Sequence, residues 1–153
     1  MPNLLIVCNT PTKNTHILFD AVVRGANSVN INHLTLRAKQ PLDASSDDVL
    51  WCDAIIIGTT EHFGAMSGQI KDFFERIYYP CLDEKQGLAT ALYIKAALDG
   101  NGTQIGVEKI FKGLRWRLVQ PTLMLHGAYH ANFVDQCEEL GQYMAAGLDA
   151  GIF

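Results

Sequence analysis

Six polar residues crowd one turn near the N-terminus: Asn9, Thr10, Thr12, Lys13, Asn14 and Thr15, with Pro11 among them. The turn follows the apolar run Leu4-Leu5-Ile6-Val7-Cys8 and leads into an amphipathic stretch from about Asn14 to Ala26. A strand-to-helix turn of this kind presents unpaired N–H groups and the positive end of a helix dipole. An anion can sit on that backbone, with threonine hydroxyls, the Asn14 amide and the Lys13 ammonium as further donors. Residue types alone suit a phosphate and a ligand-free, N-capped turn equally well.

Three other uses of such a turn fail on particular residues. A C-x5-R phosphatase loop opening at Cys8 would need Arg where Asn14 stands, so no guanidinium would orient a phosphate. A phospho-acceptor receiver needs carboxylates where the chain has Cys8-Asn9 and Thr59-Thr60. A Walker A loop needs Lys followed by Ser or Thr, but Lys13 precedes Asn14, and G-x-G-x-x-G is also missing from this turn.

A second segment runs Gly58-Thr59-Thr60-Glu61-His62-Phe63-Gly64-Ala65-Met66-Ser67-Gly68. Three glycines, an aromatic and a histidine suit close backbone approach to a flat ligand. A histidine such as His62 can hand a proton or hydrogen bond to a bound oxygen, or simply line the loop. Lys71 and Glu75 can pair at i,i+4, and Phe73 is expected to pack inward. The third segment, Leu98-Asp99-Gly100-Asn101-Gly102-Thr103-Gln104-Ile105-Gly106, reads as a glycine-rich loop.

The second segment, continued through Gln69-Ile70-Lys71-Asp72-Phe73-Phe74-Glu75-Arg76, resembles the isoalloxazine-binding loop of the flavodoxin-like NAD(P)H:quinone oxidoreductases of tryptophan-repressor-binding-protein type and of related FMN reductases. It departs at Thr60 and Glu61, where those families usually carry Pro-Thr. The third resembles their S-x-G-T-Q-x-G turn through Gly102, Thr103, Gln104 and Gly106, with Gly100 in place of the serine. The resemblance implies one non-covalent FMN. Asn9, Thr10, Thr12, Lys13, Asn14 and Thr15 would hold its phosphate. Thr60, Glu61, His62, Phe63, Gly64 and Met66 would flank the ring, and Asp99, Gly100, Asn101, Gly102 and Gln104 its pyrimidine edge. N–H groups there would stabilise the charge of a reduced flavin. NAD(P)H is the implied donor, a quinone or similar small molecule the acceptor, and a homodimer the implied assembly. The tail, His126-Gly127-Ala128-Tyr129-His130, is shorter than in the longer reductases, so their tetramer and nicotinamide contacts do not carry over.

Strands and helices alternate to position these segments. Leu4–Cys8 and Ala54–Gly58 are continuous apolar runs, suited to strands buried on both faces of a parallel sheet. Ile31–Leu36, Leu88–Lys95 and Arg117–Leu125 complete five strands. Helices are expected at Asn14–Ala26, at Asp47–Cys52 behind a Ser46 cap, at Met66–Tyr79 up to a stop at Pro80, at Ile105–Arg115 and at Phe133–Ala150. This is a single α/β domain over residues 1–153, a doubly wound, flavodoxin-like five-stranded sheet of order 2-1-3-4-5 with helices on both faces. Ligands in such folds bind at the carboxyl ends of the strands, where the order reverses.

Two flavin functions stay open: an NAD(P)H-dependent reductase or a one-electron carrier. Carriers usually stack the ring between two aromatics amid acidic groups, whereas the third segment has no aromatic and one acid, Asp99, between Asp99 and Gly106. This favours the reductase. A non-redox regulatory protein of the same fold is the third reading. The composition, 48% hydrophobic and 18% charged with a net charge of −4, argues against nucleic-acid and anionic-membrane partners. Cys8, Cys52, Cys81 and Cys137 have neither zinc nor disulfide-framework spacing and read as buried free thiols in a reducing, cytoplasmic setting. His126 and His130 stand at i,i+4 without a third ligand nearby, so no metal is expected. The N-terminus lacks the basic and long apolar parts of a signal peptide, and no run reaches the roughly 18 apolar residues of a membrane span.

Overall fold

The computed structural model describes residues 2–29 and 34–153. A parallel sheet forms its middle layer. The strands β1 (Asn3–Cys8), β2 (Thr35–Lys39), β3 (Ala54–His62) and β5 (Ala89–Ala96) lie in the order β2-β1-β3-β5. The last position is shared by β6 (Arg117–Leu118) and β7 (Leu123–His126), both parallel to β5. Counting β6 and β7 as one interrupted strand gives the expected 2-1-3-4-5. The interruption contains Pro121, which has no N–H for a ladder and is tolerated at a sheet edge.

Alternation along the strands divides the core. Leu5, Val7, Ile55, Ile57, Leu92 and Ile94 face one side, where α2 (Ser46–Trp51), α3 (Gly68–Cys81) and α4 (Asn101–Leu114) supply Val49, Phe73, Phe74, Ile77 and Phe111. Leu4, Ile6, Cys8, Ile56 and Tyr93 face the other, beneath α1 (Lys13–Ser28) and α5 (Ala131–Ala150). These two helices pack with their backbones touching. A Cβ on Gly25 would meet the Glu138 carbonyl, and one on Gly141 would meet the Val22 carbonyl. No helix among the described residues is long and apolar enough to cross a membrane.

Several boundaries differ from the sequence reading. Residues 31–33 of the expected second strand lie outside the described residues; the observed strand runs on to Lys39. Arg37 and Lys39 are held there by Asp48, each at 3.0 Å. Ser45, not Ser46, caps α2, and its N–H donates to the Asp48 carboxylate at 3.0 Å. Pro80 lies inside the last turn of α3, which ends at Cys81, a fully buried residue. The second segment is mostly not a loop. β3 continues to His62 and turns back through β4 (Ala65–Met66), pairing Glu61 with Met66 and His62 with Ala65. Only Phe63 and Gly64 form the turn, at φ of 53° and 74°. Two successive positive φ values mark the hairpin turn whose twist suits its flanking strands. The third segment is shorter than expected for a loop, because Asn101, Gly102 and Gln104 belong to the first turn of α4.

Candidate active site

The first turn ends in a reciprocal cap. Thr12 Oγ1 accepts the Thr15 N–H at 3.2 Å, and Thr15 Oγ1 accepts the Thr12 N–H at 3.0 Å. The spacing T-x-x-T thus satisfies two of the orphan donors at the start of α1. The amides of Lys13 and Asn14 find no acceptor among the described residues. Beside them, Gln40 Nε2 donates to Thr10 Oγ1 at 2.6 Å and ties the end of β2 to the turn.

A cleft of about 310 Å³ opens here, lined by Thr12, Asn14, Thr15, Thr60, Glu61, His62 and, from the far side, Lys95, Gly127 and Tyr129. A second depression of about 630 Å³ holds Asn9, Thr10, Gln40, His62 and Ser67. His62 borders both. A groove of similar size, about 660 Å³, runs between the last strand and α5 past Gln120, Met124 and Tyr143, far from any of the three segments in chain order.

A buried hydrogen-bond chain orients His62. Asn9 Nδ2 donates to Thr60 Oγ1 at 2.8 Å, while Asn9 Oδ1 accepts the Thr60 N–H at 3.3 Å. Thr60 Oγ1 lies 2.6 Å from His62 Nε2. Thr60 Oγ1, which accepts from Asn9, still has its own proton to give to Nε2, and an imidazole that accepts it carries its hydrogen on Nδ1, the nitrogen with no partner among the described residues. Thr59, buried alongside, accepts the Ser67 N–H at 3.0 Å and fixes the return of the hairpin.

The loop from β5 to α4 is held from two sides. Glu61 accepts the N–H of Leu98 at 2.7 Å and of Gly100 at 2.9 Å. His126 Nε2 donates to the Asp99 carbonyl at 2.6 Å. Asp99 in turn accepts the Asn101 N–H at 2.9 Å. A Cβ at Gly102 would strike the Gly64 carbonyl, so the hairpin tip rests on the start of α4. Lys95 reaches the Gly127 carbonyl, and its ammonium lies 5.9 Å from the Phe133 ring. Burial lowers the Lys95 pKa from the ordinary lysine value, and the Glu61 charge acts the other way.

Six expected residues therefore meet at the cleft: Thr12, Asn14, Thr15, Thr60, Glu61 and His62. Asn9 and Thr10 border the neighbouring depression. Lys13 is exposed at the mouth of α1, and Phe63 is fully exposed at the hairpin tip. Met66 is half-buried against the core beneath α4, where it supports the hairpin and lines neither cavity. Gly100 and Asn101 already give their amides to Glu61 and Asp99. Gln104 donates its N–H to the Gly100 carbonyl at 2.9 Å, inside the helix. Lys95, Tyr129 and Gln40 were not anticipated. A lysine closing the apolar strand Ala89–Ala96, at the carboxyl end where ligands bind, was the available signal for the first.

His130 caps α5, its Nδ1 accepting the Asn132 N–H at 3.0 Å, so His126 and His130 serve separate elements. All four cysteines are free and buried. Burial pushes the Cys8 thiol far up, and those of Cys52 and Cys137 to about 12.

Comparison with known proteins bears on this arrangement. Residues 1–130 match the family described as NADPH-dependent FMN reductase. A flavodoxin from Aquifex aeolicus is 26% identical over 110 residues, which span 72% of this chain and 58% of that one. An archaeal flavodoxin structure superposes with a TM-score of 0.81 at 17% identity, over 95% of this chain and 98% of the other. A flavodoxin, WrbA-like protein from Agrobacterium tumefaciens gives 0.77 at 21% identity, over 98% and 99%. At those identities the structural likeness establishes the fold.

Proposed function

We propose a function that proceeds from one fact: the chain belongs to the NADPH-dependent FMN reductase family. It binds one FMN at the cleft and takes reducing equivalents from NAD(P)H for a small acceptor such as a quinone. One observation carries this reading. Asn14, whose amide is open, lines the same cleft as Glu61 and His62 of a hairpin that ends in a fully exposed aromatic, Phe63.

The donor set fits the group. A phosphate would take the Lys13 and Asn14 backbone amides, with the Thr12 hydroxyl, the Asn14 side-chain amide and the Lys13 ammonium around it. Phe63 would offer a face to the ring. Bound FMN supplies hydride acceptance and its onward transfer. The chain's own residues bind and orient: the Asn9–Thr60 pair fixes His62, whose Nδ1–H is available to an oxygen of the acceptor. The loop before α4 brings no aromatic, only Ala97, Leu98, Asp99 and Gly100, which leaves a ring face open to nicotinamide or acceptor. We also infer a cytoplasmic homodimer, supported by four free thiols and by the exposed Phe63, Leu98 and Ile105 on the hairpin and the segments it touches.

The flavodoxin relative favours a second reading, a one-electron carrier. One experiment separates the two. Purified protein is loaded with FMN and mixed anaerobically with NADH or NADPH while the visible flavin band is followed. Bleaching supports the reductase. A yellow protein that bleaches with neither is a carrier, and one that takes up no FMN is not a flavoprotein.

A further inference from the structure

The hairpin and the loop before α4 are joined by an anion. Glu61 uses both carboxylate oxygens, one on the Leu98 N–H and one on the Gly100 N–H. Gly100 is the N-cap of α4, so the carboxylate lies at the positive end of that helix. Glu61 also lines the cleft, as do its neighbours Ala97 and Lys95 across the gap. The donors this loop could offer a ligand are therefore held from within by a side chain of the opposite wall. Lys95 is the cation on that side of the cleft. Its ammonium rests on a neutral carbonyl, that of Gly127, and no ion pair joins it to Glu61 in the structure.

We propose that Glu61 sets the flavin affinity of this site by acting as a built-in competitor. Its carboxylate fills the cradle made by the Leu98 and Gly100 amides, and a ring that presents a carbonyl or an anionic nitrogen to that cradle displaces it toward Lys95. The inference rests on the flavin reading above. Its physical basis is that a backbone N–H bonds a carboxylate more strongly than a neutral carbonyl. An oxidised ring therefore gives up part of its binding to evict the carboxylate, and Lys95 receives the displaced charge, which would otherwise be left without a partner in a half-buried cleft.

Two measurements test this on the full chain: amide hydrogen exchange without ligand, and FMN titration by flavin fluorescence quenching. Both compare the natural protein with Glu61→Gln, Glu61→Ala and Lys95→Met. The Leu98 and Gly100 amides should be protected in the natural protein and exchange about tenfold faster in Glu61→Ala. FMN should bind about tenfold tighter to Glu61→Ala, with Glu61→Gln between, because an amide oxygen is the weaker occupant. Lys95→Met should weaken FMN binding to the natural protein and leave the Glu61→Ala background unchanged. Unprotected amides, or natural protein that binds FMN as tightly as the Glu61 variants, overturns the proposal and leaves the flavin reading standing. Failure of all forms to bind FMN overturns the flavin reading, and Glu61 is then a strut between two loops. Glu61→Gln keeps size and an acceptor, so a loosened loop in Glu61→Ala cannot decide the result alone.

Discussion

The proton on the Thr60 hydroxyl decides what His62 can do. Thr60 is buried, and where it gives that proton to Nε2 the imidazole meets the cleft with its hydrogen on Nδ1. Glutamine at position 62 keeps an acceptor for Thr60 but cannot shuttle a proton. His62→Gln should cut steady-state quinone turnover by about 10²-fold while FMN affinity, measured by fluorescence, stays the same; equal turnover would remove His62 from the chemistry. Asp48 shows what a charged residue contributes away from the site. Burial pushes its carboxyl upward, but the Lys39 ammonium and the Ser45 N–H, with Arg37, outweigh that and hold it below the usual carboxylate range. Its lowered folded value means that the stabilisation is complete above the unfolded value, about 3.9, and is lost as pH falls through the folded one. Asp48→Asn should lower the unfolding free energy by about 1–2 kcal/mol at pH 7, since Arg37 and Lys39 are partly exposed and screened. In urea titrations the gap between the two proteins should close below about pH 4. A gap that persists there would assign the effect to packing.

At the scale of elements, the hairpin sets function against stability. Phe63 holds a positive φ that a bulky residue adopts only under strain. Asparagine accepts that conformation readily. Phe63→Asn should raise stability by about 1 kcal/mol in thermal unfolding and weaken FMN binding about tenfold through lost stacking. Loss of stability would mean that the ring packs where it is seen exposed. The seam between α1 and α5 has the opposite character, since nothing can be added to it. Gly141→Ala should cost about 2 kcal/mol because the Val22 carbonyl cannot yield without parting two long helices. Neither feature was legible in the sequence. The glycine-rich stretch around Phe63 looked like a loop because its β4 arm is only two residues, too short for any alternation to register. Gly25 and Gly141 sit in helical patterns where only the partner helix explains them. The strand order and the two-sided core were legible, because runs such as Leu4–Cys8 and Ala54–Gly58 leave no face for water. Of the site, the first turn could be read, because its capping residues, Thr12 and Thr15, lie within one short run. Tyr129 and Gln40 could not, because only folding brings strand ends from distant units together.

For the whole molecule, one sheet divides two apolar layers that share no helix. Asp48 belongs to the α2 side and Gly141 to the α1–α5 side. Their effects should add to within about 0.5 kcal/mol in the Asp48→Asn, Gly141→Ala double variant, measured by urea unfolding. A larger departure would show that strain crosses the sheet. The sheet's margins matter in another way. Along one margin the ladder breaks between β6 and β7, where Pro121 stands exposed without an N–H to offer. Along the other, β2 carries Arg37 and Lys39. A neighbouring molecule seeking to extend the sheet meets a missing donor on one side and positive charge on the other. Crowded solutions of the protein are thereby guarded against fibre growth by strand addition.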